Sequence, residues 1–238
     1  ITKVAIVGRD AHAWIAALLL KNVLANNGSP IEVQLIELPS NLSEHDFYSV
    51  LPNYKIMHNA LGANENVLMK AARGYFSYGQ RFANWSGTSS AFMHAYDRKG
   101  IDFYGIDFIQ FWLKAIAKGL QVPLEEFSLG AVAAKQSRHV IFDEIPSTLS
   151  HASYGYNLSA PHYVRTIAKA AIKSGIKHTA GNITEIHTDN GQIQSIVLDS
   201  GAKIDADFFI DASGSDAFLL KKIEQDNNES WAKWFTCD

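Results

Sequence analysis

The chain opens with a short apolar run that is followed by a longer helical pattern. Val4 to Val7 are apolar and include β-branched residues, which predicts a short buried strand. The Ala- and Leu-rich stretch from Ala11 to Leu24 predicts a helix, which the Asn-Asn-Gly at 26–28 ends. A second strand is predicted over Ile31 to Glu37. Together these elements predict a right-handed crossover between parallel strands.

The last third of the chain repeats this alternation of helical and strand patterns. A helix is predicted over Ala160 to Ser174, with Ser159 as its N-cap, Pro161 in its first turn and Gly175 at its end. Asn190-Gly191 lies between alternating segments and predicts a hairpin, and a second turn follows at 200–201. The stretch "ADFFIDASG" then predicts an apolar strand that runs into a turn of small residues.

The middle of the chain, residues 38–150, has a less regular pattern. Helices are predicted over Tyr54 to Leu61, Glu65 to Ala72 and Phe108 to Lys118. Between them lies an aromatic-rich stretch, which either packs around a flat ligand or forms a large core, and the core is favoured. The stretch "HVIFDEIPSTLSHASYGYNLS" predicts a strand and a loop.

Composition narrows the class of protein further. The chain has 238 residues, of which 47% are hydrophobic and 19% charged, and its formal net charge is -3. Without a large basic block, no nucleic-acid or membrane partner is expected. The single cysteine, Cys237, and the absence of a long apolar run or a signal peptide predict a cytoplasmic protein. The start at Ile1, without Met, leaves open that the chain is a fragment of a longer one.

The turn between the first strand and the first helix departs from the dinucleotide-binding pattern G-x-G-x-x-G. Gly8 keeps the first glycine, and Ala13 can nearly serve as the third. Asp10 replaces the second and places a carboxylate where a pyrophosphate is expected, which predicts repulsion. Arg9 can compensate by pairing with Asp10 or with a phosphate. A strand, turn and helix without any ligand remains an open alternative.

Two later features favour a nucleotide. Glu37 follows the second strand, where an acidic residue hydrogen-bonds an adenosine ribose. The strand that ends in Asp211 and Gly214 brings its backbone to the same crevice. No histidine pair has metal-ligand spacing, so no metal site is expected, and the motifs of nucleophile elbows and P-loops are absent.

In this order the features resemble the N-terminal half of flavin-dependent tryptophan halogenases, over nearly the whole chain. The resemblance rests on "VAIVGRDAHAWIAALLL", on "FSYGQRFANW" followed by "FMHAY", on "YGYNLSAPHYVRTIAKAA" and on "IDADFFIDASGSDAFLL". It implies an α/β fold with an FAD-binding, Rossmann-like parallel sheet and a β-meander. The nucleotide-binding core would comprise residues 1–45 and 155–238, and residues 46–154 would be an inserted substrate region.

The resemblance also implies a chemistry. Enzymes of this family use reduced FAD and oxygen to form a hydroperoxide, which halide attacks, and the hypohalous acid then reaches an indole. The expected cofactor is therefore FAD. The expected partners are an aromatic substrate, such as tryptophan or indole, and a flavin reductase. The oligomeric state stays open. The expected cofactor-contacting positions are Gly8, Arg9, Asp10, Ala13, Trp14, Glu37, Ile183, Asp211 and Gly214.

Several catalytic positions depart from the family pattern. The position of the family's catalytic lysine is Ser77, which carries no charge and is a poorer carrier of halogen. The flavin-contacting "G-x-G-E-A-T" segment falls on residues 46–50, "DFYSV", and is not preserved. The "W-x-W-x-I-P" segment and the catalytic glutamate fall beyond Asp238. His94 and Tyr96 match the family's substrate-pocket pair, although ordinary aromatic packing also explains them.

Three interpretations therefore stay open. The first is a halogenase-like, monooxygenase-type oxidoreductase, and it is preferred. The second is a non-catalytic relative that binds FAD or an aromatic ligand, and it follows from Asp10, residues 46–50 and Ser77. The third is a domain that binds a nicotinamide cofactor.

Overall fold

The computed structural model describes residues 1–26, 28, 31–85, 87, 90–139, 153–223 and 229–235. Packing divides the chain into two compact units. Unit 1 comprises residues 1–44 and 163–238, and unit 2 comprises residues 45–162.

The described residues form strands and helices of mostly short length. The strands are β1 (Lys3–Gly8), β2 (Glu32–Glu37), β3 (Phe47–Val50), β4 (Tyr75–Ser77), β5 (Gly79–Phe82), β6 (Phe92–Ala95), β7 (Gly155–Ser159), β8 (Lys177–Ala180), β9 (Ile183–Asp189), β10 (Gln192–Leu198), β11 (Lys203–Asp205) and β12 (Phe208–Ala212). The α-helices are α1 (Asp10–Asn26), α2 (Tyr54–Ala60), α3 (Glu65–Ala71), α4 (Phe108–Ala117), α5 (Leu129–Lys135), α6 (Ala160–Lys173) and α7 (Leu220–Ile223).

Unit 1 contains a four-stranded parallel sheet in the order β12-β1-β2-β8. β1 is central and buried because its residues are apolar toward both faces of the sheet. In the register, Gly8 lies opposite both Ala212 and Glu37, so the carboxyl ends of three strands meet at one edge. This edge is where ligands bind in open α/β sheets.

The β9–β10–β11 meander of unit 1 closes the apolar core beside the parallel sheet. Asn190 and Gly191 have φ values of 48° and 76°, the left-handed pair that a tight hairpin requires. Ile196 and Leu198 are buried in one cluster with Ala5 and Val7. The meander therefore shares its core with β1.

Unit 2 is built on antiparallel pairs. One sheet has the order β3-β7-β4, and β5 and β6 form a separate hairpin. Ser128 is the N-cap of α5, where its hydroxyl accepts a hydrogen bond from the Ala131 amide, and Asp107 caps α4 through the Ile109 amide.

Most elements predicted from the sequence are confirmed to within two residues. These include the crossover strands, helices α1 to α4, α6, the meander hairpin and the final strand. β7 confirms a strand at the end of the predicted segment 139–159, whereas residues 140–152 of that prediction lie outside the described residues. Ser159 closes β7, and its hydroxyl lies 2.9 Å from Nδ1 of His162 in the first turn of α6. The predicted α/β class with a parallel sheet is confirmed.

Candidate functional site

Gly8 ends β1 at a position where no side chain fits. A Cβ atom there would lie 2.4 Å from the carbonyl oxygen of Ala212 on β12. The close approach of two strand backbones therefore requires this glycine. Ala13, in the first turns of α1, is fully buried, as expected for the close helix–strand contact made by the third position of the motif.

Asp10, the first residue of α1, has a left-handed backbone with φ of 56°. Its side chain is only 8% exposed, and its Oδ1 accepts a hydrogen bond of 2.5 Å from the hydroxyl of Ser40. A carboxylate at a helix N-terminus is stabilised by the helix dipole. Asp10 thus occupies the helix end itself and is anchored to the loop after β2.

Arg9 pairs with an acid that sequence reasoning did not identify. Its Nη1 lies 2.8 Å from Oδ2 of Asp216, so the alternative pairing with Asp10 is not formed. Its Nε is buried and lacks a hydrogen-bond partner among the residues that the structure describes. A buried donor without a partner costs about 1–3 kcal/mol. This atom is the strongest local sign that the turn accommodates an acceptor from outside the protein.

Glu37 is held by two other residues at the carboxyl edge of the sheet. Its Oε1 accepts a hydrogen bond of 3.0 Å from Nε1 of Trp14, which is 1% exposed. Its Oε2 lies 2.7 Å from Nε2 of His178 on β8, and the rings of Trp14 and His178 are 4.9 Å apart. Each carboxylate oxygen can accept a second hydrogen bond, so Glu37 retains capacity for a ligand hydroxyl.

Asp211 organises the turn that follows β12. It accepts hydrogen bonds from the amide and hydroxyl of Ser213 and from the amides of Leu219 and Leu220. Burial acts to raise the pKa of Asp211, but these hydrogen bonds outweigh it, and the pKa lies below its usual value. Gly214 follows with φ of 72°, a conformation that favours glycine.

The structure brings several of the predicted cofactor positions to the carboxyl edge of the parallel sheet. Gly8, Glu37 and Asp211 lie near the ends of adjacent strands, and Arg9 and Asp10 follow directly. Ile183 begins β9 two residues after Gly181, whose amide donates a hydrogen bond to the carbonyl of Glu37, and it pairs with Leu198.

Ser77 lies in β4 opposite Gly155 of β7. Its hydroxyl donates a hydrogen bond of 3.2 Å to the carbonyl of Gly79. Its neighbour Phe76 points to the other face of the strand and stacks on His139, with ring centroids 3.7 Å apart. Residues 47–50, within the unpreserved flavin-contacting segment, form β3 at the other side of β7.

His94 and Tyr96 are two residues apart along β6 and its extension, so their side chains point to the same face. His94 is exposed and lies opposite Gln80 of β5, whereas Tyr96 is half-buried and its amide donates to the carbonyl of Tyr78. Phe92 shares this face, is 41% exposed and stacks on Phe82 at 5.2 Å.

A polar network around Glu65 in unit 2 was not predicted. The Tyr154 hydroxyl donates to its Oε1 over 3.0 Å, the Tyr156 hydroxyl donates to its Oε2, and Lys55 lies 3.2 Å from Oε2. Burial acts to raise the pKa of Glu65, but the donors lower it overall, while burial and Glu65 together raise the pKa of Tyr156. The alternating tyrosines of "SYGYN" were the only sequence signal, because Lys55 and Glu65 lie on different helices.

Comparison with known proteins assigns the chain to a family. The sequence matches the family model described as tryptophan halogenase over residues 3–238. The chain belongs to the tryptophan halogenase family. It is 26% identical over 248 residues to tryptophan 7-halogenase RebH of Lentzea aerocolonigenes, and 23% identical over 244 residues to tryptophan 7-halogenase KtzQ of Kutzneria sp. (strain 744). Each of these alignments covers 95% of this chain and 45% of the tryptophan halogenase.

Solved structures give the same result. BrvH, a flavin-dependent halogenase from Brevundimonas sp. BAL3, superposes with a TM-score of 0.89 at 26% identity over all of this chain and 48% of its own. Xcc4156, a flavin-dependent halogenase from Xanthomonas campestris, gives 0.88 at 26% identity over 99% of this chain and 46% of its own. The chain therefore spans about half the length of the tryptophan halogenases it matches. These matches confirm the resemblance inferred from the sequence and do not favour a non-catalytic relative.

Two observations concern only the residues that the structure describes. No helix there is long and apolar enough to cross a bilayer. Within the same residues, no group of three or more His, Cys, Asp or Glu side chains is placed to hold a metal ion.

Proposed function

We propose that this chain forms the FAD-binding part of a flavin-dependent, halogenase-like oxidoreductase that acts on an aromatic substrate. The observation that carries the proposal is the buried Nε of Arg9, which lacks a partner among the described residues, at the N-terminus of a 17-residue helix. A cationic donor at a helix N-terminus suits a phosphate group. Family membership supports a flavin as the source of that phosphate.

The residues at the sheet edge fit the nucleotide end of FAD. Arg9 would contact the pyrophosphate, and Glu37 would accept a hydrogen bond from the ribose while it stays bonded to Trp14 and His178. When bound, FAD supplies the redox chemistry that activates oxygen. Asp10 opposes this binding through its charge, but its hydrogen bond to Ser40 directs the carboxylate toward the protein.

The substrate proposal rests on the β5–β6 hairpin of unit 2. His94 and Tyr96 would contact the ring of an indole, and the exposed edge of Phe92 on the same face would extend the aromatic contact. The relatives named as tryptophan 7-halogenases support tryptophan or indole as the substrate class. A separate flavin reductase would supply the reduced cofactor.

Retention of flavin tests the proposal. The purified protein is soaked in FAD and desalted, its absorbance spectrum is recorded, and the Kd for FAD is measured by fluorescence quenching. We expect a retained flavin band, and Arg9→Gln should weaken binding roughly tenfold because a charged contact is lost. Lys177→Gln, which removes a surface ion pair with Glu32 on the same sheet, is the matched control and should leave the Kd unchanged.

A protein that keeps no flavin after soaking contradicts the proposal. Equal affinities for wild type and Arg9→Gln would contradict the assignment of the phosphate contact. Circular dichroism of the variants separates lost binding from lost folding.

A further inference from the structure

A second candidate binding site lies in unit 2, between the β5–β6 hairpin and helix α5. These elements border a cavity of about 480 Å³. Ligand pockets for small molecules usually measure about 300–1,000 Å³. The cavity is therefore large enough for a molecule of one or two rings.

The register of the hairpin determines which side chains reach this cavity. Arg81 pairs with Met93 across the two strands, so both side chains lie on the same face and line the cavity. His94 follows Met93 and therefore points to the opposite face. The cavity is thus distinct from the face that carries His94 and Tyr96.

The walls of the cavity combine apolar surface with one available cation. Met93 and Ala134 supply apolar contacts. The acidic side chain of Glu125 is already engaged, because it accepts a hydrogen bond from the Met93 amide and pairs with Lys135. Lys135 also lies 2.5 Å from Glu126, so its ammonium is held between two carboxylates.

Arg81 differs from Lys135 in this respect. In the part of the chain that the structure describes, no carboxylate lies within salt-bridge distance of its guanidinium, and its charge reaches Glu125 only through space. Burial acts to raise the pKa of Glu125, but Lys135, the Met93 amide and the charge of Arg81 lower it overall. The planar guanidinium fork of Arg81 is therefore available for a bidentate contact with an incoming carboxylate.

We propose that this cavity binds a small monocarboxylate with an apolar body. The carboxylate would pair with Arg81, and the apolar body would lie against Met93 and Ala134. The carboxylate of Glu125, which lines the cavity, disfavours a more highly charged anion such as phosphate. This site does not depend on flavin binding in unit 1, and it goes beyond the halogenase-like function proposed above.

Calorimetric titrations with three probes test the site. The probes are indole-3-acetate, indole and inorganic phosphate, and the proteins are wild type, Arg81→Gln, Arg81→Lys and the control Arg98→Gln. Arg98 is an exposed arginine of the same unit that pairs with Asp102 at 2.7 Å. We expect indole-3-acetate to bind more tightly than indole or phosphate to the wild type.

Arg81→Gln should weaken binding of indole-3-acetate at least about fivefold, and Arg81→Lys should weaken it less because the charge is retained. Arg98→Gln should change nothing. Equal affinity of indole and indole-3-acetate, an unchanged Kd in Arg81→Gln, or an equal loss in Arg98→Gln would each overturn the proposal. FAD retention, measured on the same samples, reports on unit 1 and so distinguishes failure of this site from failure of the proposed function.

Discussion

The indole nitrogen of Trp14 donates a hydrogen bond to Oε1 of Glu37 over 3.0 Å. This bond joins helix α1 to the end of β2 inside unit 1. Trp14→Phe removes the donor and some packing volume, so we expect the free energy of unfolding to fall by about 1–3 kcal/mol. Urea denaturation followed by circular dichroism measures this change.

Trp234→Phe is the matched control for this experiment. Trp234 is 73% exposed, and its replacement should change the free energy of unfolding by less than about 0.5 kcal/mol. Equal unfolding midpoints for Trp14→Phe and wild type would show that the hydrogen bond to Glu37 contributes no net stability.

Two substitutions at Asp10 separate the effect of its negative charge on FAD binding from the effect of its side chain as a whole. Asn tolerates the left-handed backbone at φ of 56°, so Asp10→Asn removes only the charge, whereas Asp10→Gly also removes the side chain. We expect both variants to bind FAD roughly five- to tenfold more tightly, because repulsion of the pyrophosphate is relieved. An improvement in Asp10→Gly alone would assign the obstruction to the side chain, and unchanged affinity in both would show that Asp10 does not oppose FAD.

Ser77 should limit halogenation, because a serine cannot replace the amine that the family resemblance places there. With reduced FAD, oxygen, bromide and tryptophan, we expect little or no halotryptophan from the wild type by mass spectrometry. Ser77→Lys should raise the product roughly 100-fold, the lower end of the range for a single positioned catalytic group. Ala60→Lys adds the same charge at the exposed end of helix α2 in the same unit and should have no effect. Robust halogenation by the wild type contradicts this prediction.

Asp211 should make the stability of the protein depend on pH in the acid range. Its pKa is lower in the folded protein than the unfolded value of about 3.9, so its stabilising effect is complete above that value and is lost as the pH falls through the folded pKa. At pH 7 we expect Asp211→Asn to be less stable by about 2 kcal/mol, since it weakens four hydrogen bonds to a carboxylate. Below about pH 4 the two proteins should converge.

Urea midpoints between pH 3 and pH 7 test this dependence. Asp189→Asn, at the exposed end of β9, should lower stability by less than about 0.5 kcal/mol at pH 7. A difference between wild type and Asp211→Asn that stays constant over this range would show that the carboxylate charge is not the cause.

The elements of unit 1 could be predicted because local patterns determine them. The apolar, β-branched run at Val4 to Val7 favours a buried central strand, and Asn190-Gly191 favours one hairpin geometry. The pairing in unit 2 could not be predicted in the same way. Ser49 bonds to Asn157, which is 108 residues away in sequence, and no local signal links them.

The position of the candidate site could be predicted from the sequence, but the residues that bond to its side chains could not. The glycine motif directed attention to Arg9 and Asp10. Their partners, Asp216 and Ser40, are distant in sequence and come close only when the sheet has formed. For Arg9, the sequence suggested a pairing with its neighbour Asp10. The structure shows an ion pair with Asp216, which follows β12.

The packing constraint on Gly8 does not depend on a bound nucleotide. Its lack of a side chain is required by the neighbouring backbone of Ala212, whether or not a nucleotide is present. A descendant that abandoned its cofactor would therefore still retain this glycine under selection for foldability. The presence of this glycine alone therefore does not indicate whether such a protein binds a nucleotide.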